Sequence, residues 1–153
     1  MDLWNRATAQ LVAPFPEEVR QGLMVGFADR ERYHAALLQF HAKHGCTLKP
    51  PPEEYIRALD AVFGKDGDPT VGIAMFSGPL RDWSIIDRLH EIRVPVLVIN
   101  GRDDIAQDFV CEPFFHHIPR VKWVTFEKSS HTPMWEERER FVHIVGDFLD
   151  YEP

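Results

Sequence analysis

At 153 residues, with 44% hydrophobic and 27% charged side chains, the chain has the make-up of one globular domain. Such a chain buries roughly 68–70% of its unfolded surface, and neither a disordered nor a fibrous class fits it. A formal net charge of −7, with the 17 Lys and Arg scattered rather than grouped, disfavours a nucleic-acid partner. The longest apolar runs fall far short of the ~20 residues of a membrane span, and Met1-Asp2-Leu3-Trp4 lacks the pattern of a signal peptide. Cys46 and Cys111 form no CxxC pair, so the expectation is a cytoplasmic protein with reduced thiols, no membrane partner and no cofactor.

Residues 1–84 predict helices and no strand. Pro16-Glu17-Glu18 opens a short helix that runs to about Gly26. Asp29 can cap a second helix whose Tyr33, Leu37, Phe40 and His44 share a face, with Gly45 placed to end it. Pro50-Pro51-Pro52 opens a third, with Ile56, Leu59, Val62 and Phe63 as its buried stripe, and Gly64 to Asp68 breaks the pattern.

From Ser84 the character changes. Ser84-Ile85-Ile86-Asp87 starts a short helix that leads into the apolar run Val94–Ile99, which reads as a strand buried on both faces. A helix over about Gln107–His117 follows, then a strand over Val121–Phe126. The last helix carries Phe141, Ile144, Val145 and Phe148 on one face. Alternation of strand and helix with short connections predicts a parallel α/β sheet.

In such sheets reactive groups collect beyond the carboxyl ends of the strands. The first strand ends in Asn100-Gly101-Arg102-Asp103-Asp104, and the second runs through Glu127-Lys128-Ser129-Ser130 into His131. An aspartate followed by a histidine on the next strand end suits the acid and the base of a serine-hydrolase triad, in which the chain order is nucleophile, acid, histidine. Singly, the aspartate reads more readily as a helix cap or turn former and the histidine as a solvated loop residue; the pair in this order and context is the stronger signal. The nucleophile's G-x-S-x-G frame surrounds none of Ser77, Ser84, Ser129 and Ser130, and no oxyanion-hole segment is present. His34, His41, His44 and Cys46 offer a weak alternative as a metal cluster, but no carboxylate completes a known spacing, and no metal site is expected. Trp4, Phe15, Phe76 and Trp135 are aromatic candidates for a pocket. Trp135, four residues past His131, is the one with a positional reason to approach the site.

Residues 78–101, opening Gly78-Pro79-Leu80-Arg81-Asp82-Trp83, and the segment Ser129-Ser130-His131-Thr132-Pro133-Met134-Trp135-Glu136 resemble the prolyl aminopeptidase (proline iminopeptidase) branch of the α/β-hydrolases, serine peptidases that include amino-acid amidases. The resemblance implies an α/β fold that is incomplete: a helical cap over 1–84, then the last two strands and helices of an α/β-hydrolase parallel sheet over 85–153. It places the triad acid on Asp104, the fourth residue of G-x-x-D, in preference to Asp103, and the triad base on His131. Family members commonly follow the acid with a glutamate that helps hold the substrate's α-amino group; here that substrate-binding position is Ile105, joined by Trp135. They also commonly carry a G-P-x-E segment, shortened here across Met75–Trp83.

The reading that results is the C-terminal portion of a peptidase- or amidase-like serine hydrolase. It would take a small peptide or amino-acid amide once a missing N-terminal half supplied the nucleophile, and would be inactive alone. Two alternatives are a non-catalytic remnant acting as a helical binding module, and an ester or epoxide hydrolase of the same fold.

Overall fold

The computed structural model describes residues 1–150, so the last three residues of the expected 85–153 unit lie outside it. The first part of the chain is helical: α1 Asp2–Val12, α2 Glu17–Val25, α3 Arg30–His44, α4 Glu53–Phe63 and α5 Thr70–Phe76. Asp29 caps α3 as its sequence position demands, its carboxylate accepting from the Arg32 N–H at 3.1 Å, a contact worth about 1 kcal/mol. Gly26, with φ +53°, turns the chain between α2 and α3, a conformation that side chains with a Cβ rarely adopt. The two helices then pack so tightly that a Cβ on Gly22 would lie 2.6 Å from that of Ala36.

Neither α1 nor α5 is announced by the sequence. Both lack a side-chain cap, and α5 contains Gly72 and three β-branched residues, Thr70, Val71 and Ile73, that disfavour helix. Packing overrides propensity in each case. Ala7 of α1 is fully buried, and Gly72 of α5 sits against the Phe27 ring. In α4 the buried residues are Tyr55 and Leu59, which form a cluster with Cys46; Ile56, Val62 and Phe63 of the expected stripe are half-buried.

After a 3₁₀ turn over Ile86–Glu91 the chain forms β1 Val96–Gly101, α6 Asp108–His117, β2 Val121–Phe126, α7 Pro133–Glu136 and α8 Arg138–Leu149. The first strand therefore begins two residues later than the apolar run suggests. Pro95 has no N–H for a ladder, and Val94 is 64% exposed. The strands are parallel, in register from Val96 opposite Val121 to Gly101 opposite Phe126, so both end at one edge of the sheet.

The two edges of this pair differ. Val96 N–H donates to the Arg120 carbonyl and Arg102 N–H to that of Phe126, so the backbone groups of Leu97 and Ile99 face away from β2 and have no partner among the described residues. On the far side of β2 the Arg140 guanidinium donates to the Thr125 carbonyl at 3.2 Å and lies 4.4 Å from the centre of the Phe126 ring. No residue of α8 is fully buried.

Candidate functional site

The turn after β1 is built to present one carboxylate. Asn100, 1% exposed, spends its whole amide on the turn and the neighbouring strand. Its Nδ2 donates to the Ala106 carbonyl and the Asp108 carboxylate, and its Oδ1 accepts from Trp123 Nε1 and Thr125 Oγ1. Asp104 is 3% exposed. Its Oδ2 accepts from the Gly101 N–H at 3.1 Å, and its Oδ1 from the Ala106 N–H at 2.7 Å.

The same Oδ1 lies 2.8 Å from Nδ1 of His131. A carboxylate can only accept, so in the neutral ring the proton sits on Nδ1 and Nε2 carries the lone pair. The bond to Asp104 raises the pKa of His131 above the usual histidine value, against an opposing effect of burial, with further help from the Asp104 and Glu136 charges. The His131 side chain is 45% exposed. No serine or cysteine among the described residues is hydrogen-bonded to it.

Glu136 and Glu137 hold the loop that carries His131. Glu136 accepts from the N–H and hydroxyl of Ser130, of Thr132 and of Thr47; Glu137 accepts from the Lys128 N–H and the Ser129 hydroxyl. Burial pushes both carboxyls up, but these bonds prevail and leave both below the usual carboxylate range. The loop also meets the β1 turn backbone to backbone. Asp103 N–H donates to the Ser129 carbonyl at 3.1 Å, and any Cβ on Gly101 would collide with the Ser129 and Ser130 carbonyl oxygens. Ser129 and Ser130 are thus buried and committed to the two glutamates.

Beside His131 lies a cavity of about 880 Å³, its wall including Trp4, Leu37, Phe40, His41 and Ile105. Trp4 stands edge-to-face to His131 with ring centroids 6.0 Å apart. Ile105 is 5% exposed and belongs to this wall. Trp135 does not: its ring packs edge-to-face on Tyr55 in the Cys46 cluster, because α7 turns the chain away from the cavity immediately after His131. Of the two aspartates, Asp103 points its side chain outward and offers the site only its carbonyl, which His44 Nδ1 meets at 2.8 Å. The helical histidines do not converge. His34 meets Asp60 at 3.0 Å and His41 Nδ1 meets the Tyr55 hydroxyl at 2.6 Å.

Sequence reasoning offered Trp4 among the aromatic pocket candidates without its place beside His131, and it missed His41 and Glu136 at the site. Trp4 and His41 reach the site only through tertiary packing and carry no local signal. Glu136 had one, since a carboxylate five residues past a loop histidine, after Ser-Ser and Thr, can accept several N–H and O–H donors.

A parallel strand–helix–strand unit, with a paired aspartate and histidine at its strand ends and a helical layer beside them, places this chain among the α/β-hydrolases. No family model matches it. The crystal structure of VinJ is 34% identical with a TM-score of 0.82, covering 97% of this chain and 53% of that one. The proline iminopeptidase of Mycobacterium smegmatis is 34% identical with a TM-score of 0.75, covering 97% and 52%. The proline iminopeptidase of Saccharolobus solfataricus is 30% identical over 150 residues, 95% of this chain and 48% of that protein. The chain is proline iminopeptidase-like, and it spans about half the length of the relatives it matches along its whole course.

Proposed function

We propose that the chain provides the cap and the acid–base pair of a serine hydrolase of the peptidase or amidase type, completed by a core half that carries the nucleophile and the oxyanion hole. The observation that carries this reading is the 2.8 Å contact of His131 Nδ1 with Asp104 Oδ1 at adjoining strand ends. In the mechanism, His131 Nε2 takes the proton of the attacking serine and returns it to the leaving group, while Asp104 fixes the tautomer and stabilises the imidazolium. The half-length match to proline iminopeptidases supports a complementary half, as does the unpaired edge of β1, which can receive a further strand. Residues 1–84 act as the cap that closes the cavity over His131, and the substrates are small amides.

The test joins the chain to the N-terminal half of a proline iminopeptidase and follows hydrolysis of proline and alanine arylamides. The joined protein is expected to turn over, and His131→Ala to lose several orders of magnitude in kcat. The chain alone is expected to show no turnover and no labelling by a fluorophosphonate. Labelling of the isolated chain would overturn the reading, as would full activity of the joined His131→Ala protein.

A further inference from the structure

The wall of the cavity beside His131 has a composition that bears on what can enter it. Among the described residues it contains no acidic side chain; its cationic group is Arg20, and most of the remainder is apolar, including Leu37, Phe40 and Ile105. A free α-ammonium brought against such a wall would leave water without a counter-charge, which is strongly unfavourable. An uncharged apolar group would lose nothing of the kind, and the space suffices for a small organic ligand.

One polar group on this wall is oriented. His41 Nδ1 is 2.6 Å from the Tyr55 hydroxyl, and neither Tyr55 Oη nor His41 Nε2 has another hydrogen-bonding partner among the described residues. Where the phenol gives its one proton to Nδ1, the ring's own proton sits on Nε2; the reverse donation would put it on Nδ1. Burial above all, with the neighbouring His131 and His44, lowers His41 to about 4, and burial raises the Tyr55 phenol, so both groups are neutral at physiological pH. In the first of these tautomers His41 presents an uncharged N–H donor on the wall it shares with His131.

We infer that this cavity takes an N-acylated aminoacyl amide or ester in preference to one with a free α-amine, and that His41 Nε2–H orients it by donating to the blocking group's carbonyl oxygen. The assignment deepens the acyl-transfer reading but concerns binding alone. It is tested on the full chain by NMR titration at neutral pH with phenylalanine amide and N-acetyl-phenylalanine amide, which differ in that charge. The blocked ligand is expected to bind at least about tenfold more tightly, one hydrogen bond being worth about that factor. His41→Phe is expected to weaken binding of the blocked ligand by about tenfold and so to reduce the preference to the part set by the ammonium's desolvation, and His41→Gln, which still donates, to lose less. In Tyr55→Phe the ¹⁵N shifts of His41 are expected to report a mixture of tautomers, with an intermediate affinity, so the test survives if His41→Phe folds poorly. Equal or tighter binding of the free amine, no saturable binding by either ligand, or a preference untouched by His41→Phe would each overturn the inference. Loss of hydrolysis in the joined protein with the preference intact would refute the acyl-transfer reading alone. Hydrolysis with a preference for free amines would refute the cavity assignment alone.

Discussion

Asp104 and His131 meet at 2.8 Å although 27 residues separate them, because the β1 turn and the β2 loop touch through bare backbone at Gly101. The two aspartates of the turn differ accordingly. In the joined protein Asp104→Asn is expected to lower kcat by about 10⁴, the effect of losing the correct tautomer in other triads. Asp103→Asn is expected to stay within a few-fold, since His44 uses its carbonyl, which the substitution keeps. Steady-state kinetics of both variants decide the assignment; a silent Asp104→Asn beside a damaged Asp103→Asn would reverse it.

Two histidines give opposite pH dependences. His131 is raised by its bond to Asp104, so its stabilising contribution is fully present below the ordinary histidine value and is lost as pH rises through the folded one. His41 is lowered to about 4 by burial, so the unfolded chain takes up a proton near 6.5 that the folded chain refuses. Stability therefore falls as pH drops from about 6.5 towards 4, by no more than about 1.4 kcal/mol per pH unit for that group. NMR titration is expected to show a His131 midpoint above the usual value that drops in Asp104→Asn. Denaturant unfolding of His41→Phe is expected to show a shallower acid loss than the parent chain.

Glu136 gathers six donors from three residues, and one of them, Thr47, lies in the segment that follows α3. Glu136→Gln keeps the shape but replaces one acceptor oxygen by an NH₂ that faces donors. It is expected to destabilise the chain by about 1–3 kcal/mol, read from the denaturant midpoint. A joined protein carrying it is expected to lose kcat more than KM, because the His131 loop loses its anchor.

The second half of the fold was legible because its signals are local: an apolar run, a turn, another apolar run, with an aspartate and a histidine shortly after them. Ser84-to-Asp87 and Asp29 marked helix starts in the same way, and the Ser84 hydroxyl does accept from the Ile86 N–H at 3.2 Å. What stayed hidden is tertiary. Nothing near Trp4 in the sequence indicates that its ring stands against a histidine far along the chain. His41 looked like half of a metal pair because i, i+3 spacing says which residues share a helix face, not what that face meets. Trp135 shows the converse: it is close to His131 in sequence, but α7 carries its ring onto Tyr55 in the Cys46 cluster.

Backbone N–H and C=O groups of Leu97 and Ile99 face away from β2 with no partner among the described residues, while Arg140 covers the Thr125 carbonyl on the other side. Beside the open edge Val94 is 64% exposed, and on the β2 side α8 adds Val142 at 61% and Leu149 at 73%. An unprotected apolar edge templates further pairing, and contiguous apolar surface drives association. The isolated chain is therefore expected to elute from size-exclusion chromatography as oligomers and to bind a hydrophobic dye. Val94→Lys places a charge beside the open edge at an exposed position, so it is expected to reduce association while changing stability by no more than about 0.5 kcal/mol. Arg140→Ala uncovers the second edge and is expected to increase association. A monodisperse monomer with a sharp cooperative transition and no dye signal would mean that β1 needs no further strand, and the half-core reading would fall with it.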